Sequence, residues 1–126
     1  RRKRYRARVR ARLPKTLSAQ DETLVDVTVK NRSRMVWPAT EESGLSLTPS
    51  YTLSGQIFAQ SWNRDRLTFD RPIAPGESFS GQVRLRWPDE AAEAPIKVTL
   101  TMVDDGYGRF CDLGRGGVTR KVTRRD

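Results

Sequence analysis

A chain of 126 residues, 36% hydrophobic and 31% charged, is of single-domain size and apolar enough to close a core, which sets it apart from disordered chains. Histidine is absent and Cys111 is the only cysteine, so a histidine-dependent triad and an intramolecular disulfide are excluded, and the commonest metal ligand is missing. The net charge of +9 sits wholly at the start: residues 1–15 hold nine Lys or Arg and no acid, while residues 16–126 balance.

The opening segment alternates. Tyr5, Ala7, Val9, Ala11 and Leu13 fall on one face of an expected strand and Arg6, Arg8, Arg10 and Arg12 on the other, before Pro14 breaks it. Val25, Val27 and Val29 mark a second strand, closed by an Asn31-Arg32-Ser33 turn. Pro38 stops whatever strand holds Met35, Val36 and Trp37. Leu45, Leu47 and Tyr51 predict a third strand, with Pro49 placing it at an edge or a kink. Gln56–Ser61 and Leu67–Ile73 are further strand candidates, and Ala74-Pro75-Gly76-Glu77 is a turn.

Phe79–Trp87 alternates again, with Val83, Leu85 and Trp87 opposite Arg84 and Arg86. Asp89–Ala94 is the only helix-compatible stretch and is read as a loop or a single turn. Ile96, Val98, Leu100 and Met102 form the next strand, followed by an Asp104-Asp105-Gly106 turn. Arg109–Leu113 and Val118–Thr123 complete the strands, joined by Gly114–Gly117, read as a flexible connector. About eight short strands with a turn every 8–12 residues predict an all-β, two-sheet antiparallel sandwich of immunoglobulin-like type over residues 1–126, although a barrel satisfies the same pattern.

Several pieces in order resemble a bacterial immunoglobulin-like accessory domain: Leu13-Pro14, the run Leu24–Ser33, Val36-Trp37-Pro38, Ser50-Tyr51, Gly55, Arg66-Leu67, Ile73–Glu77 and Arg109–Gly114. Such domains stand beside glycosyltransferases and methyltransferases of polysaccharide pathways. They are similar in plan to the carbohydrate-binding C-terminal sandwich of O-antigen ABC-transporter ATPases. The resemblance implies a non-catalytic accessory domain of polysaccharide synthesis or export that binds a glycan or orients a neighbouring domain. A chain that opens Arg-Arg-Lys-Arg without Met is expected to be part of a longer protein.

No catalytic set can be assembled, so an enzyme is not expected, nor is a cofactor or a metal site. Cys111 has no histidine to activate it and is read as a small residue packed in a strand. Asp104 and Asp105 are read as turn residues, because adjacent carboxylates on a strand point to opposite faces. Among the aromatics, Trp37 and Trp87 are in phase with aliphatic neighbours and are assigned to the core. Trp62 stands among polar residues and, with Asn63, Arg64 and the loop residue Tyr107, is the candidate glycan contact.

The arginine face of the first strand supports an alternative, an anion-binding module in which Arg6, Arg8, Arg10 and Arg12 hold a phosphate-bearing lipid, an acidic glycan or nucleic acid. Nucleic acid is disfavoured, since no exposed aromatics interleave with the bases. A third reading keeps the strand as an edge made soluble by charge, or packs it on acidic parts of the remaining polypeptide. No apolar run approaches the roughly 20 residues of a membrane helix and no export signal opens the chain. A cytoplasmic location is expected, with the lone cysteine favouring a reducing compartment.

Overall fold

The computed structural model describes residues 5–60, 65–89, 91 and 95–125. Along the chain run β1 (Ala7–Ala11), β2 (Thr16–Ser18), β3 (Thr23–Asn31), α1 (Thr40–Ser43), β4 (Leu45–Leu53), β5 (Gln56–Gln60), β6 (Ser78–Leu85), β7 (Ile96–Asp104), β8 (Gly108–Arg109), α2 (Phe110–Leu113) and β9 (Val118–Arg125). They form two sheets. The first has the order β1-β3-β6; the second has the order β2-β9-β7-β4-β5, with β8 added against β7. All pairings are antiparallel except β2 with β9. This is an immunoglobulin-like β-sandwich.

The alternation read from the sequence sets which side chains lie between the sheets. On β1 and its flanks, Tyr5, Ala7, Val9 and Leu13 are buried while Arg6, Arg8, Arg10 and Arg12 are exposed. Val25, Val27 and Val29 of β3 and Phe79, Val83 and Leu85 of β6 continue the first sheet's inner face, and Ile96, Val98, Leu100 and Met102 of β7 meet them from the second. Trp37 and Trp87 are both core residues, as expected. Burial stabilises each such side chain by about 1.5–3 kcal/mol relative to exposure, so strand phase follows from this pattern.

The third strand forms as expected, but Pro49 does not mark it as an edge. The proline sits inside β4, which is flanked by β5 and β7 and is not an edge. The reason is local. Leu47 donates its N–H to Leu67 on the side away from β7, and the β4–β5 ladder resumes only at Ser50. Residue 49 has the same polarity as residue 47, so its missing donor falls in the gap between these two pairings and costs no ladder bond.

Leu67–Ile73, by contrast, is no strand. It makes two isolated bridges, Leu67 with Leu47 and Ile73 with Trp37, separated by the Asp70-Arg71-Pro72 stretch.

Arg109–Leu113, expected as a strand, is the two-residue β8 followed by the one-turn helix α2. Phe110 accounts for this. It is fully buried, with its ring edge-on to Tyr5 (centroids 5.1 Å apart) and to Trp37 (5.7 Å), and coiling the chain there turns Cys111 and Asp112 out to solvent. Cys111 is therefore exposed and helical rather than packed in a strand. A second one-turn helix, α1, was also invisible to the period-two pattern. Of Asp89–Ala94, only Asp89 and Ala91 are among the described residues.

Candidate functional site

Gly114–Gly117 is a connector, but a fastened one. Arg115 donates its N–H to the Tyr5 carbonyl (2.8 Å), Ala7 donates to the Arg115 carbonyl (2.9 Å), and Thr101 Oγ1 donates to the Gly116 carbonyl (2.8 Å). The segment thus lies parallel to the start of β1 as an added single-residue bridge between Arg115 and Arg6. Such close approach requires glycine: a Cβ at position 114 would collide with the Tyr5 carbonyl oxygen, and one at 116 with that of Ala7, and Gly116 has a φ of +133° besides.

On the other side of β1, Arg32 is held by a side-chain-built turn. Asn31 is fully buried; its Oδ1 accepts from the Ser33 N–H (2.9 Å) and hydroxyl (2.6 Å), while its Nδ2 donates to the carbonyls of Met35 and Ile73 (both 2.9 Å). Arg32 N–H then donates to the Arg6 carbonyl (3.0 Å). Arg115, Arg6 and Arg32 come from three neighbouring chain segments, and Arg8 follows Arg6 on the same face. These four arginines and Ala7 line a surface cleft of about 350 Å³.

Among the described residues no acid lines this cleft, and none of the four guanidinium groups has an ion-pair partner. The field extends along β1. Arg8 stands opposite Lys30, and Arg10 opposite Thr28, whose hydroxyl lies 3.0 Å from that of Ser80 on β6. Like charges side by side on a sheet repel, and guanidinium offers only donors, so the cleft is suited to an oxyanion that accepts from several forks at once.

The structure therefore brings together Arg6 and Arg8 from the sequence-predicted set and adds Arg32 and Arg115. Arg10 and Arg12 share the exposed face but do not line the cleft. The signals for the two additions lay in plain view: an arginine inside an Asn-x-Ser turn, and another between glycines small enough to let its backbone dock. Trp62, Asn63 and Arg64 lie outside the described residues. Tyr107 is 58% exposed, in the turn between β7 and β8, and does not line the arginine cleft.

Other polar groups are committed within the fold. Asp104 is buried and accepts from the Tyr5 hydroxyl (2.8 Å), tying the strand preceding the cleft to the second sheet. Asp105, in the expected turn with Gly106, pairs with Arg66 at 3.7 Å beside a cleft of about 460 Å³ that also carries Glu41 and Asp70. Partial desolvation against the α2 turn pushes the thiol of the otherwise exposed Cys111 up from its ordinary pKa, against the opposing pull of Arg109. Among the described residues no group of three or more His, Cys, Asp or Glu side chains is placed to hold a metal ion. No described helix is long and apolar enough to cross a membrane.

No family model matches the sequence, and no curated protein matches it. Among solved structures the chain is similar to the CARDB domain of a Pyrococcus furiosus protein in complex with di-metal ions, with a TM-score of 0.51 and 12% identity over 95% of this chain and 86% of that one. It is also similar to a superoxide reductase (neelaredoxin) from Ignicoccus hospitalis, with a TM-score of 0.42 and 12% identity over 95% and 80% of the two chains. AvmM, which catalyses macrocyclization in alchivemycin A biosynthesis, gives a TM-score of 0.47 and 10% identity over 95% and 89%.

The first likeness shows the immunoglobulin-like sandwich fold. It is compatible with an accessory domain. The other two correct the expectation that this chain is no enzyme: catalysts stand among its structural neighbours, so the exclusion of catalysis is withdrawn. Lack of histidine removes one general base, while carboxylates, a thiol and arginines remain available to other chemistry. At their identities and TM-scores these two neighbours assign no reaction to this chain.

Proposed function

We propose that this chain is an accessory recognition domain that binds an acidic glycan, seating a carboxylate, sulfate or phosphate of that glycan in the arginine cleft at the start of β1. The observation that carries the reading is the convergence of Arg6, Arg8, Arg32 and Arg115, from three chain segments, on one cleft with no acid among its described lining residues. Guanidinium forks pair with two oxygens of an oxyanion at once and keep their charge at any physiological pH. The hydroxyls of Thr28, Ser78 and Ser80 sit in the cross-strand rows next to Arg8 and Arg10, offering partners of both donor and acceptor kind for sugar hydroxyls. Resemblance of the sequence to accessory domains of polysaccharide pathways supports a glycan as the bearer of the charge.

The test is a titration of the isotope-labelled chain with sodium alginate oligomers, following the amide and guanidinium signals of residues 6, 8, 32 and 115. Expected are shifts at these residues, affinity that falls by at least about tenfold between low and physiological salt, and loss of binding in the Arg6→Ala, Arg8→Ala double variant. Salt-insensitive binding, or shifts confined to other faces, overturns the reading. Preference for a single-stranded oligonucleotide over the glycan at equal charge replaces it with nucleic-acid binding.

A further inference from the structure

The outer face of the second sheet carries another basic cleft, of about 320 Å³, that includes Thr52, Lys97, Thr99, Arg109, Thr119 and Lys121 in its lining. Strand register explains its composition. Thr52, Lys97 and Lys121 occupy one cross-strand row over β4, β7 and β9, and Ser50, Thr99 and Thr119 occupy the next. Ile96, Val98 and Val122 point inward on the same strands, so Lys97, Lys121 and Thr119 are turned out by the same alternation that builds the core, while Thr99, on the same face, is only 6% exposed.

Lys97 and Lys121 are direct antiparallel partners, which places their Cβ atoms about 4.5–5.5 Å apart, and like charges at that spacing are destabilising. Among the described residues no acid lines the cleft. Asp112 is engaged by Arg109 through Nε (2.8 Å) and Nη2 (3.2 Å), while Arg109 Nη1 donates to the Ser50 hydroxyl (3.0 Å). Among the described residues neither lysine has an ion-pair partner. The arrangement is thus two free ammonium groups set beside a row of hydroxyls, with Thr99 and Thr119 already bonded to each other at 2.9 Å and retaining lone pairs for a further donor.

From this juxtaposition we infer a second binding site, independent of the arginine cleft, for a phosphorylated monosaccharide: the phosphate bridges Lys97 and Lys121, and the sugar hydroxyls meet Thr52, Thr99 and Thr119. Two ammonium groups supply up to six donors and no acceptor, which matches the oxygens of one phosphate monoester. A bare anion would leave the threonines unused; a neutral sugar would leave the paired charges unanswered. The cleft volume falls at the small end of ligand sites, the scale of one sugar unit. The site requires the β4–β7 and β7–β9 registers and stands or falls separately from the glycan reading of the first sheet.

Glucose 1-phosphate, inorganic phosphate and glucose, each titrated into the labelled chain, decide the matter. Glucose 1-phosphate is expected to shift the amides of residues 97, 99, 119 and 121 at low-millimolar concentration, with inorganic phosphate at least about fivefold weaker and glucose silent. The Lys97→Met, Lys121→Met double variant keeps the side-chain stems and is expected to lose the effect, whereas the Arg6→Ala, Arg8→Ala variant retains it. No shift at these residues in the wild-type chain overturns the proposal, whatever the variants do. Equal binding of phosphate and glucose 1-phosphate overturns its sugar part, and shifts only at residues 6, 8, 32 and 115 overturn it while leaving the arginine cleft standing.

Discussion

The outer faces of the two sheets are both basic, yet they are built by opposite means. On the first, Arg6, Arg8, Arg32 and Arg115 meet from three segments, and nothing within the described fold answers their charge. In the cleft on the second, the arginine, Arg109, has a side chain only 16% exposed and is held by Asp112 and Ser50; what is left over is a lysine pair among hydroxyls. Arg109 and Arg115 lie close in sequence, at opposite ends of the α2 turn; Arg109 is tied to Asp112 and Ser50, while among the described residues Arg115 has no ion-pair partner. Partner assignment, rather than the number of basic residues, separates a site from a brace.

The largest expected effect comes from unseating the segment that docks Arg115 beside β1. Gly116→Val forces a Cβ into the Ala7 carbonyl at a φ of +133°, and is expected to destabilise the chain by about 3 kcal/mol in chemical denaturation and to abolish alginate binding. Unchanged amide shifts with glucose 1-phosphate in the same variant would confirm that the two faces are separable; joint loss would break the distinction.

Next in size is a pH effect rooted in the second sheet. Burial of Tyr51 on β4 pushes its phenol up to about 12, an effect only partly offset by a backbone hydrogen bond from Arg86. An unfolded tyrosine ionises near pH 10, so its contribution to stability is complete below that value. As the pH rises from about 10 to about 12 the unfolded chain releases a proton that the folded chain keeps, and stability on the order of 2–3 kcal/mol is lost. Denaturation curves across this window are expected to show the fall in the wild-type chain and a flatter profile in Tyr51→Phe. A wild-type profile no steeper than that of Tyr51→Phe would contradict the burial of this phenol.

The smallest effect probes the repulsion on the first face. Arg8 stands opposite Lys30, so Arg8→Ser is expected to raise stability by a few tenths of a kcal/mol while weakening alginate binding. A melting temperature that rises as affinity falls would mark the arginines as functional at a cost to the fold. A drop in both would make Arg8 a structural residue instead.

Much of the fold was legible in residue order. The inward and outward faces of β1, β3, β6 and β7, the two core tryptophans and the turn at Asp104–Gly106 follow from period-two alternation and turn chemistry, both local properties. The misread elements depend on what lies across the core. Phe110 coils α2 because its ring has a berth between Tyr5 and Trp37, and Pro49 is tolerated because a gap in the neighbouring ladder falls beside it. The three-residue β2 is parallel to β9, which enters more than a hundred residues later, a pairing no short window can reveal.

For the candidate site the division is equally physical. The sequence by itself determined that Arg6, Arg8, Arg10 and Arg12 share one exposed face, because successive side chains of a strand point to opposite sides and the other side is apolar. Only the tertiary structure decided which of them form a cleft, that Arg32 and Arg115 complete it, and that Arg109 does not. Electrostatic partnership depends on distance in space, and those distances are set by the buried Asn31 turn, by two glycines packed against carbonyl oxygens and by the carboxylate of Asp112.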